Sequence, residues 1–167
     1  NKSKTLLCLI LARFFNYKSM LTIRKATIED LPQLTELFDQ YRMFYHKTSD
    51  IEAATEFLSE RILKNDSEII VIIENETMTG FTQLYPLFSS TRMKKYWLLN
   101  DLFVNENQRG KGYSKQLLKA AQEVCQSTDA CGILLETGKE NIIGNSLYPN
   151  CGFKIYDDVN FYEWTHS

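Results

Sequence analysis

Apolar and polar residues follow one another along this chain in a pattern that predicts a mixed α/β domain. Alternating or β-branched apolar runs predict strands over residues 21–26, 68–74, 80–87, 96–104, 133–137, 153–156 and 161–164. Apolar residues three or four positions apart predict helices over residues 30–44, 53–62, 112–126 and 141–150. The three consecutive strands in the middle argue against a doubly wound dinucleotide-binding fold.

Two helix starts carry the spacing of a capping box, in which a hydroxyl residue is followed three positions later by an acidic one. These pairs are Thr27 with Asp30 and Ser49 with Glu52. At the other end of the chain, the helix over residues 141–150 is expected to stop at Pro149 and Gly152. These signals set the expected helix boundaries.

The first nineteen residues differ from the rest. A short apolar run over residues 6–12 follows Lys2 and Lys4 and ends at Arg13, which is too short to span a bilayer. It lacks a clear small-x-small cleavage site. We therefore expect residues 1–19 to be a leader outside the domain, with Met20 as the natural start and residues 20–167 as the domain. A helix packed on the domain surface is the alternative.

Composition narrows the class of protein. The chain has 167 residues, 44% of them hydrophobic and 24% charged, which is typical of one globular domain. Its formal net charge of -2 gives no global attraction to nucleic acid or to anionic membranes. Four cysteines without a C-x-x-C pair, and only two histidines, make a metal site improbable. Reduced thiols favour a cytoplasmic location.

The segment over residues 100–114 carries the clearest chemistry. An apolar strand runs into a loop with two glycines, Gly110 and Gly112, and a helix begins there. Glycines let backbone N–H groups approach an anion, and the helix start adds unpaired N–H groups and a positive dipole end. Arg109 and Lys111 add charge. The loop therefore has the features of a phosphate or pyrophosphate cradle, although it matches neither the Walker nor the G-x-G-x-x-G pattern.

Three motifs in order resemble the GNAT acetyltransferase family across most of residues 21–164. Arg109-x-x-Gly112-x-Ser114 resembles the R-x-x-G-x-[GA] signature, with Ser114 in place of Gly or Ala. The stretch from Leu135 through Asn141 and Tyr148 to Phe153 is similar to L-x-T…N-x-x-A-x-x-L-Y-x-x-x-G-F, with Gly144 in place of Ala. Residues 23–31 resemble the opening strand and helix of the family.

The resemblance implies a fold, a cofactor and a site. The fold is a mostly antiparallel central sheet with splayed parallel strands in the middle and helices on both faces. The strand over residues 102–104 would part from that over residues 133–137 and bind the pantetheine arm of acetyl-CoA. The implied cofactor-binding residues are Leu102, Phe103, Val104, Gln108, Arg109, Gly110, Lys111, Gly112, Tyr113, Ser114 and Asn141. Homodimers are common in the family, which makes a homodimer an expectation here.

The resemblance also implies direct transfer of an acetyl group to an amine. Tyr148 would protonate the leaving thiolate, and the backbone N–H of Val104 would stabilise the oxyanion. Asp101 is the first candidate for the base or anchor of the amine, with Glu136 as the second. Some family members have Glu where this chain has Asn100. For Asp101 a purely structural role, bonded to neighbouring backbone, is an equal alternative.

The acceptor is left open between a small primary amine or polyamine, our first expectation, and a protein lysine or N-terminus. His46 lies in a region that often lines the acceptor pocket of the family, although a solvated loop histidine fits the sequence better. The alternative functions are a non-catalytic acyl-CoA-binding sensor or scaffold, and a phosphate-binding enzyme of unrelated fold.

Overall fold

A single sheet with the strand order β1–β2–β3–β4–β5 organises the protein, whose computed structural model describes residues 19–166. The strands are β1 (Leu21–Lys25), β2 (Glu68–Glu74), β3 (Thr77–Ser89), β4 (Lys94–Val104) and β5 (Ile133–Leu134). The helices are α1 (Leu31–Phe44), α2 (Ile51–Lys64), α3 (Tyr113–Ser127) and α4 (Ile142–Asn150). Short 3-10 turns over Ile28–Asp30 and Glu106–Gln108 precede α1 and follow β4.

Strand pairing gives the mostly antiparallel sheet that the resemblance implied. β1 to β4 pair antiparallel, and β4 pairs with β5 in parallel. That parallel ladder contains only Trp97 with Ile133 and Leu98 with Leu134. The expected mixed α/β fold class is therefore confirmed, with one parallel pair whose short strand β5 stands last in the strand order rather than in the middle of the sheet.

Two apolar clusters cover opposite faces of the sheet, because successive side chains of a strand point to opposite sides. On one face, α1 and α2 pack on residues such as Val71, Phe81 and Phe103. On the other face, α3 packs on residues such as Ile72, Leu84 and Val104. Fully buried Leu117 and Leu118 show that the helical face predicted for α3 is the face that enters the core.

The two expected capping boxes have different outcomes. At the first, the Thr27 N–H donates to Asp30 Oδ2 at 2.7 Å, as the spacing predicted. At the second, Asp50 is the N-cap of α2 and accepts the Ala53 N–H, so the prediction for Ser49 is wrong. The Ser49 hydroxyl instead donates to the buried Asp39 carboxylate at 2.6 Å.

The end of the chain departs from the expected strands. β5 stops at Leu134 rather than at residue 137, and residues 153–156 and 161–164 form no strand. A strand needs the edge of a neighbour, and β5 offers an edge of only two residues. Pro149 lies inside α4 rather than after it. The expected leader lies outside the described residues except for Ser19.

Candidate functional site

The site begins at a bulge in β4. Gln83 of β3 pairs with Asp101, while its neighbour Leu84 pairs with Leu99, so Asn100 is an extra residue. Before the bulge, Trp97 donates its N–H to Gly132 on the β5 side. After it, Asn105 donates its N–H to Thr79 at the start of β3.

That change of direction determines which backbone groups are free. Residues an even number apart in a regular strand direct their N–H groups to the same side. Trp97 and Asn105 are an even number apart, yet their N–H groups point to opposite neighbours, so the bulge has reversed the alternation of N–H directions between them. Leu102 and Val104 consequently direct their N–H groups toward the β5 side, where the ladder has already ended. The Val104 carbonyl on that side accepts Arg109 Nε at 3.1 Å. Among residues 19–166 these two N–H groups have no backbone acceptor, so an open strand edge with two donors results.

The glycine loop follows directly after this edge. Gly110 and Gly112 have φ of 81° and 80°, in the left-handed region that favours glycine. A Cβ at either position would meet no atom within 4 Å, so the space above both is open. The first hydrogen bond into α3 is donated by Gln116 to Gly112. The N–H groups of residues 110–115 therefore form no backbone hydrogen bond within residues 19–166 and can receive an anion.

The charged and amide side chains of the loop have protein partners in this structure. Lys111 Nζ lies 2.9 Å from Glu74 Oε2 and 2.7 Å from Gln108 Oε1. The Arg109 guanidinium lies over Phe44 and Phe103, with 5.9 and 5.8 Å to the ring centroids. The backbone N–H groups of Gln108 and Arg109 are used in the 3-10 turn. The first backbone N–H group that is available to an anion is therefore that of Gly110. The Arg109 side chain instead stabilises the loop by packing on Phe44 and Phe103.

Asn141 begins α4 as its N-cap. Its Oδ1 accepts the Gly144 N–H at 3.0 Å and its Nδ2 donates to Thr137 Oγ1 at 2.9 Å. A Cβ on Gly144 would lie 2.6 Å from Asn141 Nδ2, so a larger residue there would require the Asn141 side chain to move. Asn141 thereby fixes the start of α4 and the direction in which this helix presents Tyr148.

Asp101 is a buried carboxylate beside the open edge, with 4% of its surface exposed. Its Oδ1 accepts Asn100 Nδ2 at 3.1 Å, and the Tyr41 hydroxyl lies 3.5 Å from the Asn100 carbonyl oxygen. Burial raises the pKa of Asp101, and hydrogen bonding to Tyr41 and Asn100 opposes the rise. A carboxylate with a raised pKa is a stronger base than an exposed one.

Tyr148 is half-buried and packs edge-to-face on Phe153 at 6.0 Å. Burial raises its pKa, and Tyr45 adds to the rise, so the phenol keeps its proton at neutral pH. The pKa of Tyr41 is raised by burial and then by Asp101, Tyr45 and Tyr148. Asp101, Tyr41, Tyr45 and Tyr148 are thus linked through their effects on one another's pKa, and we call them the Asp101 cluster. Within it, Asp101 can accept a proton and Tyr148 can donate one.

A cavity of about 460 Å³ lies between α1 and α2 beside this cluster. Tyr41 and Tyr45, whose rings are 5.1 Å apart, line it and also belong to the Asp101 cluster. Arg42 and Lys47 line it as well. The remaining lining residues are Phe38, Ala53, Ala54 and Phe57. The cavity suits an apolar molecule more than a highly charged one.

The structure divides the site residues predicted from the sequence into separate groups. The structure brings Leu102, Val104 and the loop to one edge, and Asp101 and Tyr148 to one cluster. The Phe103 and Tyr113 side chains enter the two apolar clusters, so only their backbone can face a ligand. Ser114 lies in the first turn of α3.

Two further residues considered from the sequence lie outside the Asp101 cluster, and two residues in or near it had not been considered. Glu136 is exposed, which leaves Asp101 as the carboxylate inside the cluster. His46 is exposed in a turn with φ of 59° and does not line the cavity. The sequence alone gave no role to Tyr41 or to Gln83. The spacing of Tyr41 and Tyr45, one helical turn apart, was the available signal.

Two further observations concern the described part of the chain. None of its helices combines the length and the apolar character that crossing a membrane requires. Across residues 19–166, no three His, Cys, Asp or Glu side chains are grouped so that they could hold a metal ion.

Comparison with known proteins identifies the family. The family described as "Acetyltransferase (GNAT) family" matches residues 31–153. The uncharacterized N-acetyltransferase YhfO of Bacillus subtilis (strain 168) is 40% identical over 141 residues, covering 84% of this chain and 93% of that protein.

Solved structures share the fold. The crystal structure of a probable acetyltransferase has a TM-score of 0.83 and 33% identity, covering 87% of this chain and 98% of that one. An aminoglycoside N-acetyltransferase in complex with CoA has a TM-score of 0.74 and 20% identity, covering 87% and 95% of the two chains. This second likeness bears on the fold alone.

Proposed function

Because the chain belongs to the acetyltransferase (GNAT) family and is an acyltransferase, we propose that it moves an acetyl group from acetyl-CoA to a primary amine by direct attack in a ternary complex. The observation that carries the proposal is the open edge of β4, with the free N–H groups of Leu102 and Val104, next to an anion cradle.

Acetyl-CoA fits these residues in two parts. The pyrophosphate would be held by the N–H groups of residues 110–115, where left-handed glycines leave open space. The amide groups of the pantetheine arm would pair with the backbone of residues 102–104, much as a further strand would. Membership of the acetyltransferase (GNAT) family supports this choice of cosubstrate. Acetyl-CoA supplies the reactive thioester, and the protein supplies position and charge.

A protonated amine must lose two protons, one before and one after it attacks, and the leaving sulfur must receive one. In the proposal, Asp101 accepts a proton from the amine, which then forms a C–N bond with the acetyl carbonyl carbon. The N–H of Val104, with that of Leu102 on the same edge, stabilises the negative charge on the carbonyl oxygen. The C–S bond then breaks and Tyr148 gives its proton to the thiolate, while the second proton lost by the new amide nitrogen returns to the Tyr148 oxygen through water.

The environment supports this division of roles. Asp101 is buried and its pKa is raised, which makes it a better base. Tyr148 keeps its proton because burial raises its pKa. Asn100 cannot ionise, so Asp101 is the one carboxylate at the bulge. Removing either group would leave the acetyl-CoA edge in place.

For the acceptor, we propose a small primary amine first, polyamines included, and a protein lysine or N-terminus second. The cavity beside Tyr41 and Tyr45 has a volume of about 460 Å³, enough for a small molecule. Because Arg42 and Lys47 also line it, an acceptor with one ammonium group and an apolar body fits better than a long polycation.

The direct test is an acetyl-CoA turnover assay that follows the release of free thiol across polyamines, amino acids, aminoglycosides and peptides. We expect turnover with at least one small amine, abolished in the Asp101→Asn variant. Binding of acetyl-CoA without transfer to any amine would favour the non-catalytic sensor. Binding of nucleotides that lack the pantetheine arm would favour an unrelated phosphate-binding enzyme.

We also propose a homodimer in the cytoplasm. The residues after α4 expose large apolar side chains that a second copy could cover; they include Ile155, Phe161, Tyr162 and Trp164. The free thiols of Cys125, Cys131 and Cys151 suit a reducing compartment. Sedimentation velocity tests the dimer: a single monomeric species at micromolar concentration would contradict it.

A further inference from the structure

Gln83 has an amide oxygen that the fold leaves without a partner. The side chain is fully buried on β3, and its Nε2 donates to Ser67 Oγ at 2.9 Å. Its Oε1 accepts no hydrogen bond from any of residues 19–166. Two other buried polar atoms lack a hydrogen bond, Arg61 Nε and Asp66 Oδ1, but these form an ion pair at 3.0 Å. A buried acceptor without a donor is destabilising and calls for an explanation.

The residue opposite Gln83 is Asp101. The two are Cα partners in neighbouring antiparallel strands, and both lie on the sheet face of Phe81 and Phe103, two positions away along each strand. Directly opposite residues have Cβ atoms roughly 5 Å apart, which is within reach of two polar side chains. An ionised carboxylate can only accept hydrogen bonds, whereas a protonated one has an O–H to donate.

We propose that Gln83 Oε1 accepts the hydrogen bond of the Asp101 carboxyl group when that group holds the proton taken from the acceptor amine. This inference rests on the proposed role of Asp101 as the base. The proton moves from the amine nitrogen to an Asp101 oxygen, and the new O–H then points to Gln83. The proton is later released to solvent, and Gln83 itself neither takes up nor releases a proton. Gln83 is therefore a positioning residue that stabilises the protonated form of the base.

The other groups that face Asp101 act differently. Tyr41 from α1 and Asn100 from β4 both lower the Asp101 pKa and so favour the ionised carboxylate, and the Asn100 amide does so by donating to Asp101 Oδ1. Further titratable groups lie in this region: Tyr45 directly after α1, Tyr85 from β3 with Arg61 and Asp66 beside it, and Tyr148 from α4. The tyrosines are neutral at pH 7. The Gln83 amide oxygen can only accept, so its preference is for the protonated acid alone.

The test is a carbon-13 NMR titration of the aspartate carboxyl groups in the full chain, with the Asp101 resonance identified by its loss in Asp101→Asn. In Gln83→Met, which keeps the shape and removes the oxygen, we expect the Asp101 pKa to fall by about one unit, the size of one lost hydrogen bond. Gln33→Met is the matched control, since Gln33 holds the Met78 N–H at the turn between β2 and β3. It should leave the Asp101 pKa unchanged.

A second variant, Gln83→Glu, tests the proposal independently if Gln83→Met does not fold. In Gln83→Glu the two carboxyl groups would share a proton, and the pair should titrate in two separated steps, one of them raised. An Asp101 pKa that is unchanged or raised in Gln83→Met would overturn the assignment, as would independent titration of the two acids in Gln83→Glu. Because this readout needs no acceptor, it is separate from the turnover assay: a wild-type chain that acetylates no amine refutes the proposed function, whatever the titration shows.

Discussion

Gly80 on β3 lies where any side chain would meet the backbone of β4. A Cβ built there would be 2.6 Å from the Phe103 carbonyl oxygen and 3.0 Å from Val104 Cγ2. The oxygen belongs to the strand ladder and cannot rotate away, so β3 and β4 would have to separate locally. Overpacking of this kind costs about 1–3 kcal/mol, and a backbone obstacle favours the upper end. For a chain of this size we expect Gly80→Ala to lower Tm by about 5–10 °C.

Urea denaturation of wild type and Gly80→Ala checks this expectation, with the midpoint falling and the m value unchanged. Because the displaced residue is Val104, acetyl-CoA binding should also weaken several-fold. Gly152→Ala is the control: its φ is 87° and a Cβ would meet no atom within 4 Å, so only the left-handed backbone costs about 1–2 kcal/mol. It should bind acetyl-CoA as the wild type does. A change in unfolding free energy below about 0.5 kcal/mol for Gly80→Ala would refute the reasoning.

Three further predictions concern titratable groups. Tyr148→Phe should lower kcat about a hundredfold or more while the Kd of acetyl-CoA stays unchanged; an unchanged kcat removes Tyr148 from the mechanism. Asp101→Asn should be inactive yet more stable than wild type at neutral pH. Burial raises the Asp101 pKa, so ionisation of Asp101 destabilises the folded state, and this effect grows as pH rises from the pKa of the unfolded chain to that of the folded chain. The stability gained in Asp101→Asn should therefore grow with pH over that range. A gain that does not grow with pH would contradict this reasoning. Asp30→Asn should lose about 1–3 kcal/mol at pH 7, because Arg24 holds that carboxylate at 2.6 and 2.8 Å. The Asp30 pKa is lowered, so this loss should shrink as pH falls through the folded pKa, and thermal melts at pH 3 and 7 measure it.

Local signals in the sequence were enough for most of the fold. The apolar spacing within α3 predicted the buried Leu117 and Leu118, and Thr27 with Asp30 predicted the start of α1. These features depend on residues close together in the chain. The prediction failed at Ser49 because a distant group, the buried Asp39 carboxylate, takes its hydroxyl.

Features that depend on strand pairing were harder to predict. The pattern after residue 152 is typical of strands, but pairing needs an edge, and β5 provides only two residues. The bulge at Asn100 has no sequence signal of its own, because the apolar alternation of β4 continues on both sides of it. Yet this one residue turns the N–H groups of Leu102 and Val104 to the open side.

The candidate site shows the same division. The glycines of the loop and the positions of Asp101 and Tyr148 followed from motifs. The roles of the side chains around them did not, because they depend on contacts across the fold. Lys111 pairs with Glu74, 37 residues away, and Arg109 bonds to the Val104 carbonyl rather than facing the anion site. Gln83 is linked to Asp101 only through the register of β3 and β4.

A crystal structure of the chain with CoA bound is the most direct test of the account. We expect the diphosphate on the N–H groups of residues 110–115 and a pantetheine amide within hydrogen-bond distance of the Leu102 or Val104 N–H. A diphosphate bound at another surface, or residues 135–137 closing onto β4 as a continuous ladder, would contradict it.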